Sequence, residues 1–171
     1  MLVVANHVGD IDPPFVGMAC VPRQAQYLAD ARHYRSLPLA TVLYAVGAFP
    51  VQAGSPDTRA LRRAREQLLA GELVVIFPEG KPSWGPLGEF HDGAGHLALT
   101  PGITVVPAAI WGTHKVLRGW RLMGRGPVRV AFGHPVPVPA AGSRRERAAE
   151  LTRRARDAVD ALLEPMRRAY P

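Results

Sequence analysis

A histidine and an aspartate stand five residues apart near the start of the chain, in the sequence Asn-His-Val-Gly-Asp-Ile-Asp at residues 6–12. A neutral imidazole, with an ordinary pKa of about 6.5, can take a proton from a hydroxyl group at neutral pH. A carboxylate on the other ring nitrogen stabilises the imidazolium that forms. His7 and Asp12 are therefore predicted to be a general base and its orienting partner, with Gly9 easing the turn between them. The alternative is a loop histidine and a helix-capping aspartate that never meet.

A second candidate cluster follows an apolar run at residues 73–77, which has the composition of a buried parallel strand. The loop after it reads Pro-Glu-Gly-Lys-Pro-Ser, residues 78–83. Loops at the carboxyl ends of parallel strands are where ligands bind in α/β folds. In this loop Glu79 supplies a carboxylate, Gly80 lets a ligand approach the backbone, and Lys81 supplies a cation. The alternative is an ordinary Pro-Glu-Gly turn.

Short apolar strands alternate with helical segments along the rest of the chain. Strands are predicted at residues 2–5, 25–28, 48–51, 73–77, 104–110 and 128–132. Helices are predicted from residue 12, where Asp12 would be the cap, and at residues 39–46, 55–69, 93–100 and 144–168. This alternation predicts an α/β fold with a mainly parallel central sheet of about six to seven strands, flanked by helices. No repeat or linker divides the chain, so residues 1–171 are expected to form a single domain.

The composition is that of a globular protein. Hydrophobic residues make up 47% of the 171 residues and charged residues 20%, which excludes a disordered chain. No apolar run approaches the roughly 18–20 residues that cross a bilayer, and the start lacks the features of a secretory signal. Cys20 is the only cysteine, so an intramolecular disulfide is excluded and a reducing compartment is favoured. Its apolar surroundings predict a buried core thiol.

The formal net charge of +7 favours an anionic partner. Membrane lipid, a nucleotide-bearing substrate, an acidic carrier protein and nucleic acid all qualify, and charge alone does not choose among them. The final predicted helix is basic, and it could lie on anionic lipid or pack as an ordinary helix with a solvated face. Its acidic residues favour packing. The apolar stripe expected to pack consists of Leu151, Ala155, Val159, Leu162 and Met166.

Two further patterns are set aside. Residues 93–98 resemble a dinucleotide-binding fingerprint, but no apolar strand precedes them. His91 and His96 are five apart, which does not place them on one helix face, and no third ligand is near. No metal site is predicted.

The two clusters together resemble the glycerolipid acyltransferase family, typified by bacterial 1-acyl-glycerol-3-phosphate acyltransferase. The family's first motif is Asn-His, four residues and Asp, and its third begins Phe-Pro-Glu-Gly and ends in Ser. The second is partly matched by residues 47–51, which include Phe49, and the fourth by residues 105–110. The resemblance runs from about residue 2 to residue 137. The first and third motifs are matched by Asn6, His7, Asp12, Phe77, Pro78, Glu79, Gly80 and Ser83.

The resemblance implies an O-acyltransferase of phospholipid biosynthesis. It would move a fatty acyl group from acyl-coenzyme A or an acyl-carrier protein to a hydroxyl of a lysophospholipid-type acceptor. His7 would be the base and Asp12 its orienting partner, and the thioester donor, a co-substrate, would make any cofactor or metal unnecessary. The protein would be cytoplasmic, peripheral on the inner face of the cell membrane, and would not bind nucleic acid. Substrate-binding residues would be Asn6, Phe49, Phe77, Pro78, Glu79, Gly80, Lys81 and Ser83.

Two departures from the family pattern bear on the acceptor and on the membrane. Ala53 and Pro82 stand where members that bind a glycerol phosphate usually have arginines, and Lys81, in the usual threonine position, is the nearest cation. Lys115 or Arg118 could assist. An acceptor without a phosphate monoester is therefore an alternative. Family members usually carry N-terminal helices ahead of the first strand, whereas here Met1 leads directly into that strand, as in a short form or in a chain whose start is misassigned. Either case predicts an uncovered apolar patch beside the site.

Two other functions stay open at this point. One is a non-catalytic lipid- or nucleic-acid-binding domain that kept the fold and lost turnover. The other is a thioesterase-like hydrolase, in which water takes the place of the alcohol.

Overall fold

The structure is a computed structural model that describes residues 1–45, 47–51, 58–118 and 121–170. All six predicted strands form within these ranges, together with a small hairpin. The strands are β1 (Leu2–Ala5), β2 (Ala25–Asp30), β3 (Ala48–Val51), β4 (Leu73–Ile76), β5 (Val105–Trp111), β6 (Leu117–Arg118), β7 (Arg121–Leu122) and β8 (Arg129–Phe132). The helices are α1 (Asp12–Ala19), α2 (Leu37–Ala45), α3 (Thr58–Leu69), α4 (Gly93–Ala98), α5 (Thr113–Val116) and α6 (Arg144–Ala169), with a 3-10 helix at Ala31–Arg35.

The predicted boundaries hold to within a few residues. Phe77 was expected to end β4, but the strand stops at Ile76 and Phe77 begins the following turn. The residue after it is Pro78, which has no N–H for a strand ladder. The helix predicted at residues 93–100 ends at Ala98, two residues earlier. Val46, predicted to end a helix, and Ser55, predicted to begin one, lie outside the described residues.

Six strands form one sheet in the order β3-β2-β4-β1-β5-β8. The first five run parallel, and β8 pairs antiparallel with β5 at the edge. Strand β1 lies between β4 and β5, and each of its four residues is at most 1% exposed. A strand covered on both faces needs an unbroken apolar run, which explains the sequence Leu-Val-Val-Ala. The α/β fold with a mainly parallel sheet is confirmed.

Helix α6 packs along β5 and carries much of the core on that side. It begins with a capping box in which Ser143 accepts from the Glu146 N–H and the Glu146 carboxylate accepts from the Ser143 N–H. The predicted apolar stripe packs inward, with Leu162 only partly buried, and Leu163, which the prediction omitted, is fully buried. Several arginines on its outer face pair with acidic residues of the same helix, among them Arg153 with Glu150. The prediction that this helix packs on the core and exposes a charged face is therefore confirmed.

The end of helix α1 departs from one expectation. Cys20 follows α1 and packs against the core as predicted, but it is only partly buried rather than buried within the core. Burial still raises the pKa of this thiol above its ordinary value. Near it Met18 and Val21 are 70% and 73% exposed. The apolar patch predicted beside the site stays a prediction.

Within the described part of the chain, every helix is too short or too polar to cross a membrane.

Candidate functional site

The candidate site lies where two neighbouring parallel strands end. Strand β1 pairs with β4, with Val4 opposite Ile76, so the loops that follow the two strands leave the sheet at the same edge. His7 is in the first of these loops and Glu79 is in the second. Sequence positions more than seventy residues apart are thereby brought within hydrogen-bond distance.

Asn6 fixes the point at which the first loop leaves the sheet. Its side-chain Nδ2 donates to the Ile110 carbonyl at 2.9 Å, and the Ile110 N–H donates to Asn6 Oδ1 at 2.8 Å. The side chain therefore imitates a strand residue and continues the pairing between β1 and β5. Asn6 is 0% exposed, so its amide positions the backbone beside His7.

The predicted histidine–aspartate pair forms. His7 Nδ1 lies 2.8 Å from Asp12 Oδ2, with the imidazole 14% exposed and the carboxylate 0% exposed. The same oxygen accepts from the N–H groups of Val8, at 2.6 Å, and Gly9, at 2.9 Å. Because the loop wraps around the carboxylate, the imidazole is held in one orientation at the edge of the buried region.

Asp12 does not cap helix α1 as predicted. It is the first residue of the helix, Ile11 precedes it in the capping position, and the carboxylate turns back toward the loop. Its place in the first turn is still favourable for a negative charge, because the N-terminal end of a helix dipole is positive.

The contact with Asp12 determines the useful tautomer of His7. An ionised carboxylate only accepts, so Nδ1 must carry the hydrogen and Nε2 must carry the lone pair. Among the described residues Nε2 of His7 has no hydrogen-bond partner. A hydroxyl group that reached this nitrogen could give up its proton to it.

Thr113 is a site residue that sequence reasoning missed. It follows β5 and is 0% exposed, and its hydroxyl donates to Asp12 Oδ1 in a short hydrogen bond. The available signal was its position two residues after a buried strand, which is where polar side chains reach the ligand edge of a parallel sheet.

Glu79 holds the two loops together. Oε1 accepts from the His7 N–H at 2.6 Å, and Oε2 accepts from the Gly88 N–H at 2.9 Å. The residue is 6% exposed, and this burial raises the pKa of its carboxyl above the ordinary value, although the two backbone N–H groups oppose the shift. Gly88 allows the close approach, because a Cβ there would lie 2.6 Å from Glu79 Oε2.

Residues 1–111, more than half of the chain, match the family described as Acyltransferase. The chain belongs to this family. It is 26% identical over 135 residues to 1-acyl-sn-glycerol-3-phosphate acyltransferase of Bacillus subtilis, covering 79% of this chain and 66% of that protein. It is 40% identical over 113 residues to lyso-ornithine lipid O-acyltransferase of Pseudomonas aeruginosa, covering 64% of this chain and 42% of that protein.

The crystal structure of the 1-acyl-sn-glycerophosphate acyltransferase PlsC from Thermotoga maritima has the same fold. The two match with a TM-score of 0.70 and 27% identity over 95% of this chain and 66% of that one. The chain thus spans about two thirds or less of these relatives' length. The resemblance to a PlsC-type glycerolipid acyltransferase is confirmed.

The other residues predicted from the third family motif surround His7 in different ways. The Phe77 ring centroid lies 4.7 Å from that of His7, and the Ser83 N–H donates to the His7 carbonyl at 2.7 Å. Gly80 has a φ of +70°, which its lack of a Cβ permits. Pro78 is buried, and its carbonyl accepts from the His91 N–H. Each of these contacts shapes the loop around the acyltransferase motif.

The remaining site positions singled out in the sequence, where the structure describes them, make no hydrogen bond or ring contact with His7 through their side chains. Phe49 belongs to β3, with β2 and β4 between it and β1, and it is 2% exposed in the core beneath the Arg63 guanidinium. Lys81 is exposed beyond Gly80, where its ammonium is accessible to an anionic group. Ala53 lies outside the described residues. The Ser83 hydroxyl is buried and has no hydrogen-bond partner in the described part of the chain.

In the described part of the chain no group of three or more histidine, cysteine or acidic side chains, with or without His91 and His96, is placed to hold a metal ion.

Proposed function

We propose that the protein transfers an acyl group from an acyl thioester, acyl-coenzyme A or an acyl-carrier protein, to a hydroxyl of a lysophospholipid-type acceptor. The observation that carries this proposal is the 2.8 Å contact between His7 Nδ1 and the buried Asp12 carboxylate, which leaves Nε2 available as a base. Membership in the Acyltransferase family supports the class of reaction.

The proposed reaction begins with proton transfer. His7 Nε2 takes the proton of the acceptor hydroxyl as its oxygen attacks the thioester carbonyl carbon. The tetrahedral intermediate then collapses, the carbon–sulfur bond breaks, and the departing sulfur takes the proton from the imidazolium. The products are an ester and a free thiol. Asp12 stabilises the imidazolium between the two proton transfers.

The thioester is already an activated acyl donor, so the reaction as proposed needs no enzyme nucleophile, metal or additional cofactor. A positioned base contributes about 10²–10⁴ to the rate. The remainder must come from holding the two substrates together beside His7.

The acceptor headgroup has two candidates. The relatives from Bacillus subtilis and Thermotoga maritima are named for an acyl-glycerophosphate acceptor. Pro82 in the loop after β4 cannot bind a phosphate as arginine does, and the relative with 40% identity is named for a lyso-ornithine lipid. These two observations favour, as a second candidate, an acceptor that has no phosphate monoester.

A lipid acceptor implies work at a membrane surface. The net charge of +7 favours attraction to anionic lipid, and we place the protein on the inner, cytoplasmic face of the cell membrane. The partners proposed are thus the thioester donor, the lipid acceptor and the membrane surface, with no role in binding nucleic acid.

Thiol release from acyl-coenzyme A, measured with and without acceptor, tests the reaction. Release that requires the acceptor supports the transferase, and equal release without it would mean a hydrolase. We expect His7→Ala to lower turnover by at least about 10²-fold in a protein that still folds, because the base is lost. Full activity in His7→Ala would overturn the mechanism. His96→Ala, an exposed histidine on α4, serves as the matched control.

A panel of acceptors with one donor separates the two headgroup candidates. Faster turnover of 1-acyl-glycerol-3-phosphate supports the first, and faster turnover of lyso-ornithine lipid supports the second. If no donor releases its thiol in the presence of either acceptor, the protein would be a non-catalytic binding protein.

A further inference from the structure

Thr113 reaches the site from a third strand, β5, which is the neighbour of β1 on the side opposite β4. The chain leaves β5 through Gly112, whose φ of +103° belongs to the left-handed region. A Cβ at Gly112 would lie 2.2 Å from the Pro127 carbonyl, so the turn requires glycine. Thr113 follows at once as the first residue of α5.

The loop after β1 packs directly against this turn. A Cβ added at Gly9 would lie 3.0 Å from both Thr113 Oγ1 and the His114 backbone nitrogen. The Asn6–Ile110 amide pairing fixes the two chains just before they reach this point. Thr113 is therefore placed by backbone contacts on both sides, and its hydroxyl has little freedom.

The two oxygens of Asp12 are divided between different donors. Oδ2 accepts from the backbone of the loop and from the imidazole of His7, whereas Oδ1 accepts from the Thr113 hydroxyl. Both residues are 0% exposed, so water cannot readily replace the hydroxyl. Without it one carboxylate oxygen would be buried with an unmet hydrogen bond, a state that costs more than the bond itself contributes.

We propose that Thr113 is a positioning residue for the acyl transfer: its hydroxyl holds the Asp12 carboxylate in the orientation that keeps His7 Nε2 facing the acceptor. This rests on the proposed function of the His7–Asp12 pair. Thr113 does not touch the substrate. It acts on the rate only through Asp12, and that dependence makes the role testable.

Thr113→Val removes the hydroxyl and keeps the side-chain shape. We expect kcat to fall about tenfold to a hundredfold, the loss typical of a hydrogen bond to a buried charge, with KM for donor and acceptor unchanged. Thr113→Ser, which keeps a hydroxyl, should recover most of the rate. Thr100→Val is the matched control, because it also removes a buried threonine hydroxyl, one that donates to the Leu97 carbonyl away from the site.

A double-mutant cycle with Asp12→Asn separates positioning from general damage. If Thr113 acts through Asp12, Thr113→Val should cause little further loss of kcat in the Asp12→Asn protein. The same loss in both backgrounds would overturn the inference. So would a wild-type kcat in Thr113→Val, or a Thr113→Ser protein as slow as Thr113→Val.

Folding is followed by thermal melting of every variant. Should Thr113→Val not fold, the smaller Thr113→Ala replaces it in the same cycle. An active His7→Ala protein would overturn the proposed mechanism, and the role of Thr113 with it. An inactive His7→Ala protein together with a fully active Thr113→Val protein would defeat the role of Thr113 alone.

Discussion

Two buried carboxylates contact His7 at different atoms. Asp12, the first residue of α1, contacts the imidazole and also accepts from two N–H groups and from Thr113. Glu79, in the loop after β4, accepts from the His7 N–H and the Gly88 N–H. Asp12 thus reaches the ring that would move a proton, whereas Glu79 reaches only the backbone that carries it.

The two contacts with His7 should therefore have different roles: that of Asp12 in the reaction and that of Glu79 in the stability of the fold. A charge beside the ring acts on the imidazolium that forms during the reaction, so its removal should appear in kcat. A carboxylate that joins two loops acts on the folded state, so its removal should appear in the free energy of unfolding. Substitutions at the two positions should therefore be distinguished by different measurements.

The largest effect is expected for Asp12→Asn. The asparagine oxygen can still accept from His7 and the loop, and its NH₂ group can donate to Thr113 Oγ1, so the geometry survives while the charge is lost. We expect kcat to fall about 10²–10⁴-fold with a nearly unchanged urea midpoint. Asp10→Asn, an exposed aspartate in the same loop, is the control. An Asp12→Asn protein with near wild-type kcat would erase the distinction between the two carboxylates.

Glu79→Ala should have the opposite effect to Asp12→Asn, with a large loss of stability and a small loss of kcat. It leaves the buried N–H groups of His7 and Gly88 without acceptors, which should lower the free energy of unfolding by about 2–4 kcal/mol. We expect kcat to fall only about tenfold, through displacement of the His7 backbone. Urea unfolding and thiol release measure the two effects, and Glu89→Ala, an exposed glutamate of the same loop, is the control.

A different outcome for Glu79→Ala would indicate that Glu79 binds the acceptor. If the variant unfolds at the wild-type urea concentration but its KM for the acceptor rises, Glu79 contacts the substrate, as the family resemblance implied.

The histidine–aspartate contact was predictable because it is local. The two residues are five positions apart, at the end of β1 and the start of α1, and Gly9 marks the turn that brings them together. The assignment of Asp12 as a helix cap was wrong for a local reason. The carboxylate could accept from the N–H groups of the helix or from those of the preceding loop, and it accepts from the loop.

The contacts between strands were not predictable from spacing. Asn6 pairs with Ile110, Thr113 with Asp12 and the His7 N–H with Glu79 only because β1 lies between β4 and β5. The alternation of strands and helices predicts a parallel sheet but not the order of its strands. Phe49 illustrates the same limit, since its motif position suggested the site and the strand order placed it in the core.

The smallest predicted effect is the pH dependence that the Glu79 carboxyl gives to the free energy of unfolding. Burial raises the pKa of this carboxyl above its ordinary value of 4.5, so the folded protein holds the proton more tightly than the unfolded chain does. The resulting stabilisation is complete below the unfolded pKa and is lost as the pH rises through the folded pKa.

Glu79→Gln isolates this dependence, because it keeps a neutral side chain of the same size at every pH. The free energy of unfolding of the wild type minus that of Glu79→Gln should therefore fall as the pH rises from about 4 to about 7. Urea titrations of both proteins at each pH measure it, since the other titrating groups cancel in the difference. A difference that grows with pH would mean that the N–H groups of His7 and Gly88 outweigh burial. Glu79 would then be a carboxylate that the fold stabilises in its charged form.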